Sequence, residues 1–286
     1  MKKSRLIAVI YILILLFSIL LPNFYCKKTS NKSQFEKSCI NLFKSDFIMD
    51  FKIKFFKNRF IIYKQPNISI PNDGFPIVFL FHGAVQHGFS WFLGLNAWNR
   101  AQVSFTKSAL ENGFFVVSFE SLKPIKPGPR AWDCFEKNDT LNSDILYVKE
   151  VINWLNNSCL PVNVNNIFCA GLSSGAFFCS RLAQSYNYSF KGVILNSGCN
   201  ADSIIISNNG PDFNCSTGFN ISYFHPPTLI VHGRKDRLIS YKCAESYYLD
   251  LKYNKVDVTK FVDEEAGHIW LNDYNCLIVD WLKKHQ

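Results

Sequence analysis

A serine placed between two glycines is the first feature of this sequence that could carry out chemistry. Ser173 lies in the stretch Gly171-Leu172-Ser173-Ser174-Gly175, with a short apolar run on either side. A G-x-S-x-G pattern of this kind is typical of a tight strand-to-helix turn that exposes the serine hydroxyl. Taken alone it is more often only a turn. A serine hydroxyl is a weak nucleophile at neutral pH, so catalysis would also need a base and a carboxylate that orients the base.

The acid and the base are predicted from two later strands. Asp236 follows the apolar run TLIVHG, and His268 follows VDVTKFV. Ser173, Asp236 and His268 thus each follow a predicted strand at the same edge of a sheet, in the order serine, carboxylate, histidine. Asp236 could instead cap the following helix, and Asp202 is a rival acid. His82 is a rival base, although its place beside a glycine at a strand end favours a role in shaping the loop.

Backbone donors and aromatic side chains complete the predicted site. The run VFLFHGA places Ala84 just after an early strand, and Ser174 follows the candidate nucleophile. We predict their N–H groups as the oxyanion hole, the pair of donors that stabilises the negative oxygen of a tetrahedral intermediate. Trp132, Trp270 and His82 are predicted substrate-binding residues. The histidines show no metal-ligand spacing, and we predict neither a metal nor a cofactor.

The elements that would position these residues alternate along the chain. Short apolar runs predict strands buried on both faces, and amphipathic segments between them predict helices, which together indicate an α/β doubly wound fold. The predicted strands are Pro76–Phe81, Phe114–Phe119, Asn166–Gly171, Gly192–Gly198, Thr228–Gly233 and Val256–Val262, after a β-hairpin over Phe51–Tyr63. The predicted helices are Trp98–Leu110, Asn142–Leu155, Gly175–Tyr186, Tyr241–Leu251 and Asp273–Lys284. Two long loops are predicted over residues 121–138 and 199–227, beside the site.

These motifs resemble a known family. The segments FLFHGA, GLSSGAFFCSRLA, LIVHGRKDRLISY and AGHIW are similar to those of α/β-hydrolases in the polyhydroxybutyrate depolymerase and feruloyl esterase group, also called LpqC-like esterases. The resemblance covers roughly residues 74–284. It implies an α/β-hydrolase fold and a serine esterase with Ser173 as nucleophile, Asp236 as acid and His268 as base. The chain departs from the pattern at Leu271, where the family has proline, so the substrate does not follow from the resemblance.

The N-terminus and the composition indicate a secretory protein. Lys2, Lys3 and Arg5 precede an apolar run over residues 6–21, as in a signal peptide, although the poor cleavage site leaves an uncleaved anchor as an alternative. We therefore predict a signal at 1–26, an N-terminal segment at 27–50 and a single catalytic domain at 51–286. The seven Asn-x-Ser/Thr sequons exceed the roughly three expected by chance. With ten cysteines, they predict N-linked glycans, disulfides and a secreted location.

The function predicted from these observations is hydrolysis of short-chain, hydroxyacyl or phenolic acyl esters, with a small-molecule or polymeric ester as partner. A formal charge of +9 is spread along the chain, and no nucleic-acid footprint is predicted. No stable membrane span is predicted unless the N-terminal anchor is retained. A prolyl-oligopeptidase-like peptidase and a non-catalytic binding protein on the same fold remain alternatives.

Overall fold

The short apolar segments of the chain form one mixed β-sheet in the computed structural model, which describes residues 48, 50–94, 99–122, 130–185, 190–207 and 210–286. Asp46–Gln286 form one compact unit. The predicted signal at 1–26 and the remainder of the N-terminal segment up to residue 47 lie outside the described residues.

The sheet has eight strands in the order β1-β2-β4-β3-β5-β6-β9-β10. β1 pairs antiparallel with β2, and β2 antiparallel with β4, whereas all other neighbours in the sheet are parallel. A separate two-stranded sheet contains β7 and β8. The strands are β1 (Lys52–Phe56), β2 (Arg59–Lys64), β3 (Phe75–Phe81), β4 (Phe115–Phe119), β5 (Val162–Leu172), β6 (Gly192–Asn196), β7 (Ile204–Ser207), β8 (Gly210–Phe213), β9 (Thr228–Gly233) and β10 (Val258–Asp263).

Helices cover both faces of the sheet. They are α1 (Ser90–Leu93), α2 (Arg100–Glu111), α3 (Ser143–Asn157), α4 (Ser174–Ala183), α5 (Tyr241–Tyr253) and α6 (Asn275–Lys284). Side chains of α2 and α6 belong to one buried cluster, and those of α3, α4 and α5 belong to another. Alternate residues of β3 are divided between the two clusters, since successive side chains of a strand point to opposite faces. This arrangement confirms the predicted α/β class.

The differences from the predicted elements are local. The predicted loop over residues 199–227 contains the hairpin of β7 and β8, because an isoleucine run is followed by an Asn-Asn-Gly turn sequence. The predicted helix Asp273–Lys284 begins instead with a 3₁₀ turn over Asn272–Tyr274, and α6 starts at Asn275. Residues 123–129, within the predicted loop over 121–138, lie outside the described residues.

The described cysteines include one disulfide and several buried thiols. Cys215 and Cys243 form the disulfide, which joins the segment after β8 to α5. Cys169 and Cys179 are fully buried, as the sequence predicted for small core residues, and burial raises the pKa of each thiol. Among the described residues, no helix has the length and apolar character needed to cross a membrane.

Candidate active site

Ser173 occupies a strained turn at the carboxyl end of β5. Its backbone angles, φ 55° and ψ −119°, lie outside the regions that side chains ordinarily favour. The turn is tight enough to exclude side chains at both glycines: a Cβ on Gly171 would lie 2.2 Å from the carbonyl carbon of Gly175, and one on Gly175 would lie 2.0 Å from the oxygen of Phe81. Ser173 remains half-buried in otherwise buried surroundings. The geometry is that of a nucleophile elbow.

The loops after β9 and β10 bring Asp236 and His268 together. Nδ1 of His268 lies 2.7 Å from Oδ2 of Asp236, and Oδ1 of Asp236 accepts the N–H groups of Leu238 and Ile239, both at 2.9 Å. Burial acts to raise the pKa of Asp236, but hydrogen bonds from His232, His268 and Ile239 outweigh it and hold the pKa well below its ordinary value. Asp236 is therefore an ionised carboxylate, suited to orienting an imidazole.

Asn196, at the end of β6, connects the serine turn to the histidine loop. Its carbonyl accepts the Ser173 N–H at 3.0 Å. Its side-chain amide donates to the carbonyl of Ile269 at 2.7 Å and accepts the Leu271 N–H at 3.1 Å. Because Ile269 directly follows His268, one fully buried side chain fixes the base loop against the elbow. All three candidate catalytic residues thus lie at one edge of the sheet.

The backbone donors of the loop after β3 differ in whether they have an acceptor. The Gly83 N–H donates to Oε1 of Gln86 at 2.9 Å, the Val85 N–H to the carbonyl of Arg130 at 2.7 Å, and the Gln86 N–H to the carbonyl of Gly83 at 3.3 Å. Within the described part of the chain, the Ala84 N–H has no acceptor. This pattern favours Ala84 over its neighbours as an oxyanion donor.

Ser174 supplies the second candidate donor. It is the first residue of α4, and the first N–H groups of a helix have no acceptor within the helix. Its side-chain oxygen accepts the backbone N–H of Trp132 at 3.0 Å, which ties the loop after β4 to the start of α4. The helix terminus also directs the positive end of its dipole toward the elbow.

A buried glutamate at the end of β4 supports the loop that carries Ala84. Glu120 accepts the Gly88 N–H at 2.6 Å, contacts Nδ1 of His87 at 2.8 Å and forms an ion pair with Arg130. Burial acts to raise the pKa of Glu120, but the hydrogen bonds from His87 and Gly88 and the charge of Arg130 outweigh it, and the pKa is lowered. The carboxylate therefore joins the oxyanion loop to the segment that begins at Arg130.

Trp270 is not a wall of the site. Its side chain is fully buried, with ring centroids 5.0 Å from Trp91 and 4.8 Å from Phe105. Its indole N–H donates to Oδ1 of Asn275 at 2.9 Å. The prediction that Trp270 binds substrate is therefore wrong for this structure, because the ring points into the hydrophobic core.

Trp132 and His82 are buried beneath the site. The Trp132 indole stacks on Phe178, with centroids 5.2 Å apart, and its N–H donates to the carbonyl of His82 at 2.8 Å. Both ring nitrogens of His82 are engaged, Nδ1 with the Gly83 carbonyl and Nε2 with the Ser121 N–H. Burial lowers the pKa of His82 to about 4, so the ring is neutral. These contacts correct the predicted substrate-binding role of both residues and exclude His82 as the base.

The rival acid Asp202 lies in different surroundings. It forms an ion pair with Lys137, and both residues line a polar cleft of about 200 Å³ that none of the candidate catalytic residues lines. Asp236, not Asp202, carries the hydrogen bond to His268. Among the described residues there is no cluster of histidine, cysteine, aspartate or glutamate side chains suited to a metal ion.

Sequence reasoning did not identify three residues that support the site: Asn196, Glu120 and His232. Glu120 directly follows a predicted strand at the catalytic edge, and this position was its only signal. Asn196 and His232 lie inside predicted strands, where a polar residue in an apolar run could have indicated a buried hydrogen bond.

Comparisons with known proteins agree with this architecture. No protein-family model matches the chain. A poly(3-hydroxyoctanoate) depolymerase from Pseudomonas fluorescens is 24% identical over 234 residues, which cover 79% of this chain and 80% of that protein. The structure of an acetyl xylan esterase from Aspergillus awamori matches with a TM-score of 0.62 and 15% identity, over 82% of this chain and 99% of that one. A carboxylesterase from Bacillus cereus matches with a TM-score of 0.54 and 16% identity, over 80% and 96% of the two chains.

The solved structures share the fold, and the depolymerase shares sequence along most of both chains. Both agree with the resemblance expected from the motifs around Ser173. The chain therefore has the α/β-hydrolase fold, and most of its length is similar in sequence to a poly(3-hydroxyoctanoate) depolymerase.

Proposed function

We propose that this protein is a serine hydrolase that cleaves carboxylic esters through an acyl-enzyme on Ser173. The observation that carries the proposal is the hydrogen-bonded pair of Asp236 and His268, which Asn196 ties to a strained, half-buried serine turn. An orienting carboxylate, an imidazole and a serine on such a turn are the parts of a nucleophilic triad. The esterase and depolymerase relatives support the same chemistry.

Each residue takes one role in the proposed reaction. His268 removes the proton from the Ser173 hydroxyl as the oxygen attacks the ester carbonyl, and the N–H groups of Ala84 and Ser174 stabilise the resulting oxyanion. The protonated imidazole then gives its proton to the departing alcohol. Asp236 holds Nδ1–H toward itself and stabilises the imidazolium. A water molecule, activated in turn by His268, releases the acid and restores Ser173.

Exposed apolar side chains in the loops that carry the proposed triad and oxyanion donor are consistent with an aliphatic substrate. Val85, Leu238 and Ile269 lie within two residues of Ala84, Asp236 and His268 in the chain, and all three are exposed. An exposed apolar side chain beside each catalytic loop suits an aliphatic acyl or hydroxyacyl group. The name of the depolymerase relative supports a hydroxyacyl ester. Phenolic acyl esters are less favoured, because the aromatic rings of the predicted substrate-binding residues Trp270 and Trp132 are buried and cannot stack on a phenolic group.

A panel of substrates tests the proposal. Wild-type protein should hydrolyse 4-nitrophenyl acetate, butyrate and octanoate, and should release soluble acid from a poly(3-hydroxyalkanoate) suspension, whereas the Ser173→Ala variant should not. Methyl ferulate should be the poorer substrate. Cleavage of proline-containing peptides without ester hydrolysis would favour the peptidase alternative, and no hydrolysis of any substrate would favour a binding protein.

We also propose that the protein is secreted and carries N-linked glycans. All the described sequon asparagines are exposed; they are Asn67, Asn138, Asn156, Asn214 and Asn220. The other two, at positions 31 and 187, lie outside the described residues. The Cys215–Cys243 disulfide is consistent with an oxidising compartment. Protein made in eukaryotic secretory cells should decrease in mass after enzymatic removal of N-linked glycans; unchanged mass would contradict the glycan proposal.

A further inference from the structure

The candidate acid contacts a second histidine that the proposed reaction does not use. His232 lies in β9, fully buried, and its Nε2 is 2.9 Å from the carbonyl oxygen of Ile239 and 3.3 Å from Oδ2 of Asp236. Since a carbonyl oxygen can only accept, Nε2 must carry the proton. The imidazole of His232 therefore donates toward both the loop and the carboxylate.

With these contacts, both carboxylate oxygens of Asp236 have polar partners. Oδ1 accepts two backbone N–H groups, from Leu238 and Ile239, while Oδ2 faces the two imidazoles, His268 at 2.7 Å and His232 at 3.3 Å. Ile239 takes part twice, because its N–H donates to Asp236 and its carbonyl accepts from His232. Two hydrogen bonds of Ile239 thus connect Asp236 to His232, and Oδ2 of Asp236 also lies 3.3 Å from Nε2 of His232, so rotation of the carboxylate would disturb at least one of these contacts.

Burying the imidazole of His232 reduces the stability of the fold, which indicates that its contacts with Asp236 and Ile239 serve another purpose. Its Nδ1 is buried and has no hydrogen-bond partner among the residues that the structure describes. A buried polar atom without a partner reduces stability, whereas an apolar side chain of similar size would avoid this cost. Within the described chain, Nε2 is the only nitrogen of the His232 imidazole with polar partners, and these partners are Asp236 and Ile239.

We infer that His232 is a positioning residue of the proposed reaction, holding the Asp236 carboxylate so that Oδ2 stays aligned with Nδ1 of His268. The inference rests on the proposed function, because it assigns Asp236 the task of orienting the base. His232 acts through Asp236 and has no contact with the ester. Its loss should therefore slow the chemical step and leave substrate binding unchanged.

The test compares three variants of the full-length protein. His232→Gln keeps an N–H group near the position of Nε2, whereas His232→Asn is too short and His232→Phe has no donor. We expect kcat on 4-nitrophenyl butyrate to fall about 10- to 100-fold in the Phe and Asn variants, since small misplacements of catalytic groups have effects of this size. KM should stay close to wild type. The Gln variant should recover most of the loss.

A proton NMR spectrum supplies a readout that loss of stability alone would not change. The low-field resonance of the His268 Nδ1 proton should shift or broaden in the Phe and Asn variants and persist in the Gln variant. His225 is the matched control, because it is a buried histidine next to the opposite end of β9 and bonds to the Tyr247 hydroxyl at 2.8 Å. His225→Phe should lower the melting temperature and leave kcat and the resonance unchanged.

The outcomes separate this inference from the proposed function. If Ser173→Ala retains hydrolysis, the proposed function is wrong. If Ser173→Ala is inactive but a folded His232→Phe or His232→Asn variant keeps wild-type kcat and an unmoved resonance, only the role of His232 is wrong. Should the Phe variant fail to fold, the comparison of Gln with Asn decides, and equal activity of those two contradicts the inference.

Discussion

The same dipeptide, histidine followed by glycine, ends two strands at the catalytic edge and serves two different loops. His82 follows β3 and His232 lies near the end of β9, and both side chains are fully buried. His82 donates to the carbonyl of its neighbour Gly83 and accepts a backbone N–H, whereas His232 donates toward Ile239 and the Asp236 carboxylate.

The residue four positions later also differs between the two loops. After His82 it is Gln86, a neutral amide whose oxygen accepts the Gly83 N–H and shapes the oxyanion loop. After His232 it is Asp236, a carboxylate whose Oδ2 lies 3.3 Å from Nε2 of the imidazole. The same dipeptide thus supports the loop of the proposed oxyanion donor Ala84 after β3 and the loop of the proposed acid Asp236 after β9.

The largest effect should come from removing the charge on the acid side. Asp236→Asn keeps an oxygen for the backbone N–H groups of Leu238 and Ile239, so the loop should persist. Its amide would favour the wrong tautomer of His268, and we expect kcat to fall by about 10⁴-fold in steady-state ester hydrolysis. Asp202→Asn is the control and should be close to wild type; a greater loss in that variant would move the acid to Asp202.

Removing one donor tests the oxyanion side and should have a smaller effect. Gly83 and Gln86 close a four-residue turn in which Val85 has φ +58°, as in a type II turn, and proline is favoured at the second position of such turns. Ala84→Pro should therefore delete one N–H with little change of backbone. We expect kcat to fall by about 10²- to 10³-fold.

The matched variant for that position is Ala84→Gly, which keeps the N–H and should retain most of the activity. Equal rates in the two Ala84 variants, with melting temperatures near wild type, would show that the oxyanion donor lies elsewhere.

The smallest predicted effect is on the free energy of unfolding, not on catalysis, and it arises from the burial of His82. The pKa of His82 is lowered by burial to about 4, from an ordinary value of 6.5. Its contribution to stability is therefore complete above pH 6.5 and is lost as the pH falls toward 4, because the unfolded chain binds the proton first. At pH 5 this histidine alone should cost about 1 to 2 kcal/mol relative to pH 7.

Urea unfolding at the two pH values measures this cost. His225, whose pKa burial also lowers to about 4, adds a similar contribution in the wild type. In His82→Gln the difference between pH 7 and pH 5 should shrink by the share of that one residue. An undiminished difference would mean that the ring of His82 is not buried in its neutral form.

The sequence predicted the strands, and the strand ends that carry Ser173, Asp236 and His268, better than the directions of side chains. Strand ends follow from apolar runs, and parallel strands bring their carboxyl ends to one edge, so Ser173, Asp236 and His268 could be placed from the sequence. Trp270 could not, although it is two residues from His268. Its ring packs on Trp91 and Phe105, which lie far away in the chain, and nearness in sequence does not determine which way a side chain points.

The hydrogen bonds that support the site could not be predicted from the sequence for a related reason. Glu120, Asn196 and His232 each bond to a loop that is distant in the chain or whose path depends on packing. Neither polarity nor periodicity identifies the partner of a buried polar side chain. The β7–β8 hairpin, by contrast, had a local signal in the Asn-Asn-Gly sequence that follows the isoleucine run.

The central claim, that Ser173 is the nucleophile, is tested most directly by covalent labelling with a fluorophosphonate followed by peptide mass spectrometry. The protein should take up one equivalent of the probe, and the adduct should map to Ser173. Ser174→Ala should still be labelled, whereas Ser173→Ala should not. An adduct on Ser174 or another residue, or undiminished labelling of Ser173→Ala, would contradict the account.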